Sequence, residues 1–318
     1  MITELPFEPY PLLQSPHQQT FFGSFVRWEQ ELSSVTHYVS LPDGDILSIE
    51  ISTPILKKDQ NPVVILLHGI CGDQNSSCLV RLAHKLDEKG FQVVRMNLRN
   101  CGKGRGLSKK LYHGGLSNDL FEVVRYVQNH FLRSPITIIG FSLGGNIALK
   151  LAGEKGTLEG VSQIIAINPP IDLLSIAKGL EKPENKRYLE YFLKHLIAEV
   201  HFLDDYFKNE KHSFPESPSF FDYDKIYTAP MYGFANALEY YSQSSSKRVL
   251  HKIENSCKIL FSYDDPIIDP QIFHDLSIPL HIELYATRKG GHLGFIGKRN
   301  SVHPSIFWLD HLLMDWIE

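Results

Sequence analysis

Three residues, far apart in the 318-residue chain, have the types that nucleophilic acyl transfer needs. Ser142 sits in Gly140-Phe141-Ser142-Leu143-Gly144, which fits G-x-S-x-G. A serine on a sharp strand-to-helix turn holds its hydroxyl clear of the backbone, and small residues on either side leave room for that turn. The helix that follows sets its positive end beside the charge that develops. A serine hydroxyl is a weak nucleophile near neutral pH, so it needs a base. His292, in Gly290-Gly291-His292-Leu293-Gly294-Phe295, is the candidate, on a loop whose glycines let the imidazole project. An acid must then orient that imidazole and stabilise its charged form. Ser262-Tyr263-Asp264-Asp265-Pro266-Ile267-Ile268 offers two adjacent aspartates, of which only one can face the histidine. The register G-x-x-D-x-x-V, with Ser262 in the glycine place and Ile268 in the valine place, favours Asp265. Asp264 is then a turn or cap residue.

The same chemistry needs two N–H groups aimed at the tetrahedral oxygen. The Leu143 N–H follows the nucleophile. Ile70, in His68-Gly69-Ile70-Cys71-Gly72 after the first core strand, supplies the second. His68 reads as a packed, hydrogen-bonded histidine rather than a base. A G-x-S-x-G alone is also a plain glycine-rich turn. What strengthens it here is a strand before it, a helix after it, and the order Ser142, Asp265, His292 with each residue at the end of a strand.

Such positions require alternating strands and helices. Val35–Leu41 and Asp45–Ser52 read as a hairpin around Asp43-Gly44. Val63–Leu67 is wholly apolar, as in a strand buried on both faces of a parallel sheet. Leu79, Leu82, Ala83 and Leu86 mark one face of a helix, with Gly90 where a C-cap would stand. Strands follow at Phe91–Leu98, Ile136–Gly140, Ile164–Ile167, Lys258–Phe261 and His281–Tyr285. Helices are expected at Ser117–Phe131, around Ile147–Leu151 and at about Ser305–Ile317. The fold class is therefore α/β: a mostly parallel central sheet flanked by helices. The whole chain, 1–318, reads as one domain. Residues 1–34 are expected as an extended, proline-punctuated arm, and 171–255 as a mostly helical cap insertion. Tyr191, Phe192, Phe207 and Tyr241 in the insertion either line an acyl pocket or form the insertion's own core.

Composition narrows the function. Hydrophobic residues make up 43% and charged residues 21%, the balance of an ordinary globule. A net charge of −4 leaves no basic excess for phosphates, which disfavours nucleic-acid binding. The first basic residue is Arg27, so no secretory signal is expected, and no apolar run is long enough for a transmembrane segment. The four cysteines form no CxxC pair and read as reduced thiols of a cytoplasmic protein. Gly102, Gly104 and Gly106, with Lys103 and Arg105, lack the G-K-[ST] ending of a phosphate loop and read as a mobile loop at the mouth of the site. The 15 histidines never fall within five residues of one another, so short histidine-pair metal spacings are absent. No metal and no cofactor are expected.

The chain resembles the YheT-like family of α/β-hydrolases over nearly its whole length. The resemblance lies in Ser15-Pro16-His17-Gln18-Gln19-Thr20, His68-Gly69, Arg99-Asn100-Cys101-Gly102, Tyr112-His113-Gly114-Gly115 and Gly140 to Asn146. It continues in Thr228-Ala229-Pro230-Met231-Tyr232-Gly233-Phe234, Asp264-Asp265-Pro266 and Gly291-His292-Leu293-Gly294-Phe295. It implies the α/β-hydrolase fold, Ser142, Asp265 and His292 as catalytic triad, and carboxylic-ester hydrolysis. Short- to medium-chain or lipid-like esters are the expected small-molecule substrates. An acyltransferase and a non-catalytic ligand-binding protein are the alternatives. The chain departs from the family's usual Arg-Gly-Cys-Ser and His-Ser-Gly with Arg-Asn-Cys-Gly and His-Gly-Gly. These loops are expected to shape the substrate entrance. The family's eukaryotic relatives carry a membrane anchor, which is not expected to transfer.

Overall fold

The computed structural model describes residues 1–25, 32–54, 60–274, 276–299 and 305–317. Its described strands form one sheet in the order β1-β9-β8-β7-β6-β4-β5-β3-β2. They are β1 (Ile2–Glu4), β2 (Val35–Ser40), β3 (Ile46–Ser52), β4 (Val63–Leu67), β5 (Gln92–Met96), β6 (Ile136–Phe141), β7 (Val161–Ile167), β8 (Ser256–Ser262) and β9 (Ile282–Thr287). The β2–β3 hairpin pairs antiparallel onto β5, and the other pairs are parallel. The hairpin turns at Asp43-Gly44, where Gly44 has φ +88°, a left-handed conformation that only glycine adopts freely.

Alternation along each strand decides which face a side chain joins. In β4, Val63, Ile65 and Leu67 point to one core, and Val64 and Leu66 to the other. In β7, Ile164 and Ala166 divide from Ile165 and Ile167 in the same way. A strand buried on both faces has no polar side, which is why these runs read as continuously apolar. The first core is covered by α3 (Ser117–His130), α4 (Leu143–Lys155) and helices between residues 173 and 244. The second is covered by α2 (Ser77–Glu88) and α10 (Trp308–Ile317), which the buried Arg81–Asp310 pair ties together at 2.7 Å.

The N-terminal segment differs from the extended arm expected. Ile2–Glu4 adds to the sheet edge beside β9, and Pro16–Phe25 forms a helix, α1. The reason is local: Ser15 Oγ accepts from the Gln18 N–H, and Gln18 Oε1 accepts from the Ser15 N–H, a capping box. Pro16 then stands at the first helical position, where a missing N–H is harmless. Residues 26–31, Arg27 among them, lie outside the described residues.

Residues 171–255 are helical for most of their length: α5 (Leu173–Leu180), α6 (Lys186–Phe207), α7 (Phe220–Tyr223), a π-helical turn at Asp224–Thr228, α8 (Ala229–Tyr232) and α9 (Ala237–Ser244). They dock on the segment before α3. Tyr227 Oη accepts from the Leu111 N–H (2.9 Å), Tyr232 Oη donates to the Leu111 carbonyl (2.8 Å), and Tyr240 Oη accepts from the Gly114 N–H (3.3 Å). No helix among the described residues is long and apolar enough to cross a membrane.

Candidate active site

Ser142 lies between β6 and α4 with φ +50° and ψ −119°, a backbone state that non-glycine residues rarely adopt. The glycines around it are demanded by packing. A Cβ at Gly140 would collide with the Gly144 carbonyl, and one at Gly144 would come within 2.7 Å of the His68 carbonyl. The strained turn presents the hydroxyl at the carboxyl end of the sheet. Its persistence requires surrounding structure to over-determine it. Here that structure is the buried Phe141 and the uniformly buried strand before it.

The Ser142 hydroxyl donates to His292 Nε2 at 2.8 Å, and His292 Nδ1 donates to Asp265 Oδ2 at 2.7 Å. A carboxylate can only accept, so the imidazole proton is on Nδ1 and Nε2 is free to take another. Asp265 Oδ1 accepts from the Ile267 and Ile268 N–H groups, and Oδ2 also accepts from Asn168 Nδ2 at 2.6 Å. Asp264 points elsewhere: its Oδ1 accepts from the Gly291 N–H at 2.8 Å, and burial raises its pKa. It anchors the loop that carries His292. All three members of the Ser142–His292–Asp265 chain are buried.

Ile70 and Leu143 both line the cavity in front of Ser142. Leu143 is the first residue of α4, so its N–H has no acceptor within the helix. The Ile70 N–H also meets no acceptor among the described residues. His68 is fully buried. Its Nε2 accepts from the Leu98 N–H and its Nδ1 donates to the Gly69 carbonyl, while burial lowers its pKa. It staples the loop after β4 to the end of β5, and both ring nitrogens are already used.

Several supporting residues had no role assigned in the sequence. Asn168, itself at φ +44°, holds Asp265 from the end of β7; its only sequence signal is Asn-Pro-Pro directly after a strand. Ser262 Oγ donates to the Gly291 carbonyl at 2.6 Å. From the N-terminal helix, Thr20 Oγ1 accepts from the His292 N–H at 2.8 Å and donates to the Pro16 carbonyl. Gln19 bonds both the N–H and the carbonyl of Ile296. The Ser15–Thr20 stretch therefore clamps the histidine loop.

A cavity of about 90 Å³ opens on Ser142 and His292. One wall is the end of the sheet; the other comes from α5, α6, α7, the π-helical turn and α9. Phe192 and Tyr241 line the cavity, Phe207 packs against the core elsewhere, and Tyr191 is half exposed, so two of the four aromatics reach the pocket and one the core. His113 and Gly114 also line it, in line with a role for the His-Gly-Gly loop at the substrate. Burial, then Lys150, Arg99 and Lys110, push the His113 pKa down to about 3, so it stays neutral.

The Arg99–Gly106 loop differs from expectation, because it does not line the cavity. Arg99 turns inward, with two bonds to Asp119 (2.6 and 2.7 Å) and one each to Asp43 (2.6 Å) and Asp45 (2.8 Å). Arg105 pairs with Glu199 at 2.8 Å and lies 3.6 Å over the Phe202 ring, which fastens the loop to α6. All four cysteines are free. Burial pushes Cys71 and Cys257 up to about 12 and Cys78 up to about 11, and raises Cys101 as well, so none is a competing thiolate. Among the described residues no three His, Cys, Asp or Glu side chains gather in a metal-binding group.

Residues 62–298 match the family model described as the alpha/beta hydrolase fold. YheT of Escherichia coli (strain K12) is 28% identical over 316 residues, covering 98% of this chain and 92% of its own length. The monoacylglycerol lipase of Saccharomyces cerevisiae is 28% identical over 260 residues, covering 76% of this chain and 56% of its own. The esterase Pf2001 of Pyrococcus furiosus superposes with a TM-score of 0.58 at 17% identity, over 92% of this chain and 98% of its own. The YheT match runs along nearly the whole chain and so agrees with the resemblance noted in the sequence.

Proposed function

The chain belongs to the alpha/beta hydrolase fold family, and from that premise we propose that it is a serine hydrolase of carboxylic esters. The observation that carries this reading is the continuous chain Ser142 Oγ–His292 Nε2, His292 Nδ1–Asp265 Oδ2 at 2.8 and 2.7 Å. Two unused N–H groups, on Ile70 and Leu143, stand beside it. In the proposed reaction His292 takes the Ser142 proton as Oγ attacks the ester carbonyl. The oxyanion rests on the Ile70 and Leu143 N–H groups. The carbonyl re-forms, the C–O bond to the alcohol breaks, and the imidazolium returns its proton to the leaving alkoxide. Water, deprotonated by His292, attacks the acyl-enzyme, and the proton returns to Ser142 Oγ as the acid departs. Asp265 keeps Nδ1 protonated throughout.

The cavity, walled by Leu173, Ile176, Leu180 and Phe192, suits an apolar group on one side of the ester bond. The names of the relatives, an esterase and a monoacylglycerol lipase among them, agree with an ester substrate. The test is hydrolysis of p-nitrophenyl esters from acetate to palmitate by wild type and Ser142→Ala. Wild type is expected to hydrolyse them, and the variant to lose about 10⁴-fold or more in kcat. A fluorophosphonate should label wild type alone. Equal inertness of both proteins, with no labelling, would remove the hydrolase reading. Product analysis with an added alcohol separates hydrolysis from acyl transfer.

A further inference from the structure

The two oxyanion donors of the proposed reaction are held very differently. Leu143 opens α4, so its N–H is fixed by the first turn of a helix. Ile70 lies in the loop after β4, where Cys71 stands at φ +56°, a left-handed state that residues other than glycine rarely adopt. A donor helps only if it is already aimed when the charge develops. The loop therefore needs bracing on both sides of Ile70.

On the near side, the Gly69 carbonyl accepts from His68 Nδ1 at 2.7 Å and from the Gly72 N–H at 3.1 Å. A peptide unit is planar, so holding that carbonyl constrains the Ile70 N–H in the same plane. One held end still lets the loop swing about it. On the far side, the Cys71 N–H donates to Tyr112 Oη at 2.7 Å. Tyr112 comes from 41 residues along the chain, is buried, and lines the cavity with Ser142. The next links belong to the π-helical turn and α8. The Leu111 carbonyl, in one peptide unit with the Tyr112 N–H, accepts from Tyr232 Oη at 2.8 Å, and the Leu111 N–H donates to Tyr227 Oη at 2.9 Å. Neither Tyr227 nor Tyr232 lines the cavity. Burial raises the pKa of Tyr112 and of Tyr232 well above the ordinary phenol value, so both keep their hydrogens.

Resting on the ester-hydrolase reading, we propose that Tyr112 and Tyr232 are positioning residues for the oxyanion donor at Ile70: Tyr112 holds the loop through the Cys71 N–H, and Tyr232 holds Tyr112 through the Leu111 carbonyl. Their action passes through the Ile70 N–H, so it is felt in the transition state, where the oxyanion forms, and not in the bound ester. The test is p-nitrophenyl ester hydrolysis by Tyr112→Phe, Tyr232→Phe and the double variant, with rates expressed per site titrated by a fluorophosphonate. Deleting an oxyanion donor costs about 10²–10³-fold in kcat, so a displaced one should cost less. Tyr112→Phe should lower kcat by about tenfold and Tyr232→Phe by about threefold, with KM within about twofold of wild type. Because Tyr232 acts through Tyr112, the double variant should match Tyr112→Phe alone rather than the product of the two losses. Loss of folded protein lowers the number of titrated sites and leaves kcat per site unchanged. A second measurement needs no catalysis: amide hydrogen exchange in the Ser142→Ala background should quicken at Cys71 in Tyr112→Phe and in Tyr232→Phe, while the amides of α4 hold. Tyr232→Phe, remote from the cavity, carries both measurements should Tyr112→Phe fail to fold. An inert wild type with quickened exchange removes the hydrolase reading and keeps the brace. An active wild type whose variants keep kcat per site within about twofold, a loss confined to KM, multiplied losses in the double variant, or unchanged exchange at Cys71 would overturn it.

Discussion

Replacing Asp265 by asparagine tests the proposed mechanism without dismantling the site. The side chains are nearly the same size. The new amide oxygen can keep the two N–H bonds from Ile267 and Ile268 that Oδ1 accepts at 2.8 and 3.0 Å. Its NH₂ group then occupies the place of Oδ2, facing His292 Nδ1 and Asn168 Nδ2. A donor now meets the Nδ1 proton, so the imidazole changes tautomer: Nδ1 accepts and Nε2 carries the hydrogen. That hydrogen points at Ser142 Oγ, 2.8 Å away, and the base can no longer take the serine proton. The wrong tautomer in such a site lowers kcat by about 10⁴-fold, or about 5.4 kcal/mol of barrier. Asp265 does not line the substrate cavity, so KM should change by less than about threefold. The assay is p-nitrophenyl ester hydrolysis by Asp265→Asn, with Asp264→Asn as companion. Asp264 accepts the Gly291 N–H, which an amide oxygen can still accept, so its variant should stay within about tenfold of wild type. A kcat for Asp265→Asn within tenfold of wild type, or the large loss appearing at Asp264 instead, refutes the reasoning.

Two further predictions concern buried charge. Burial pushes the Asp224 carboxyl up to about 7, from 3.8 in the exposed state. The unfolded chain thus releases this proton first, and the folded state loses stability as pH rises from about 4 to 7, by up to about 4 kcal/mol above that. Asp224→Asn should accordingly melt above wild type at pH 8 and near it at pH 4; a gap that does not vary with pH would exclude this group as its source. Arg99→Met would leave the buried Asp119 and Asp45 without their cation, at about 3–5 kcal/mol of unfolding free energy. Denaturant unfolding measures this, and a loss below about 1 kcal/mol would mean that the aspartates find other partners.

Strands β2 to β9 and the helix after Ser142 were legible in the sequence because their signals are local; β1, inside the segment expected as an arm, was not. β4 shows five apolar residues in a row, and α2 shows Leu79, Leu82, Ala83 and Leu86 on one face. The Asp264–Asp265 ambiguity reduced to a register argument over seven residues, since one backbone geometry cannot aim both carboxylates at one imidazole. The N-terminal helix was missed because four prolines within sixteen residues mask a capping box that begins at Ser15. The Arg99 loop was misjudged because its glycines suggest openness, while the ion pairs that turn it inward come from residues 20 to 56 positions away.

By itself the sequence determined the residue types available for acyl transfer, their order, and the turn that must carry Ser142, because these depend on neighbours within a few positions. Only the tertiary structure decided that His292 Nε2 lies 2.8 Å from Ser142 Oγ across 150 residues of chain. It alone decided that Asn168 and Thr20 brace Asp265 and His292, and that Asp224 lies buried in the wall of the cavity. These relations depend on which segments pack together. Packing is a property of surfaces contributed by distant elements, and no local pattern encodes the distance between them.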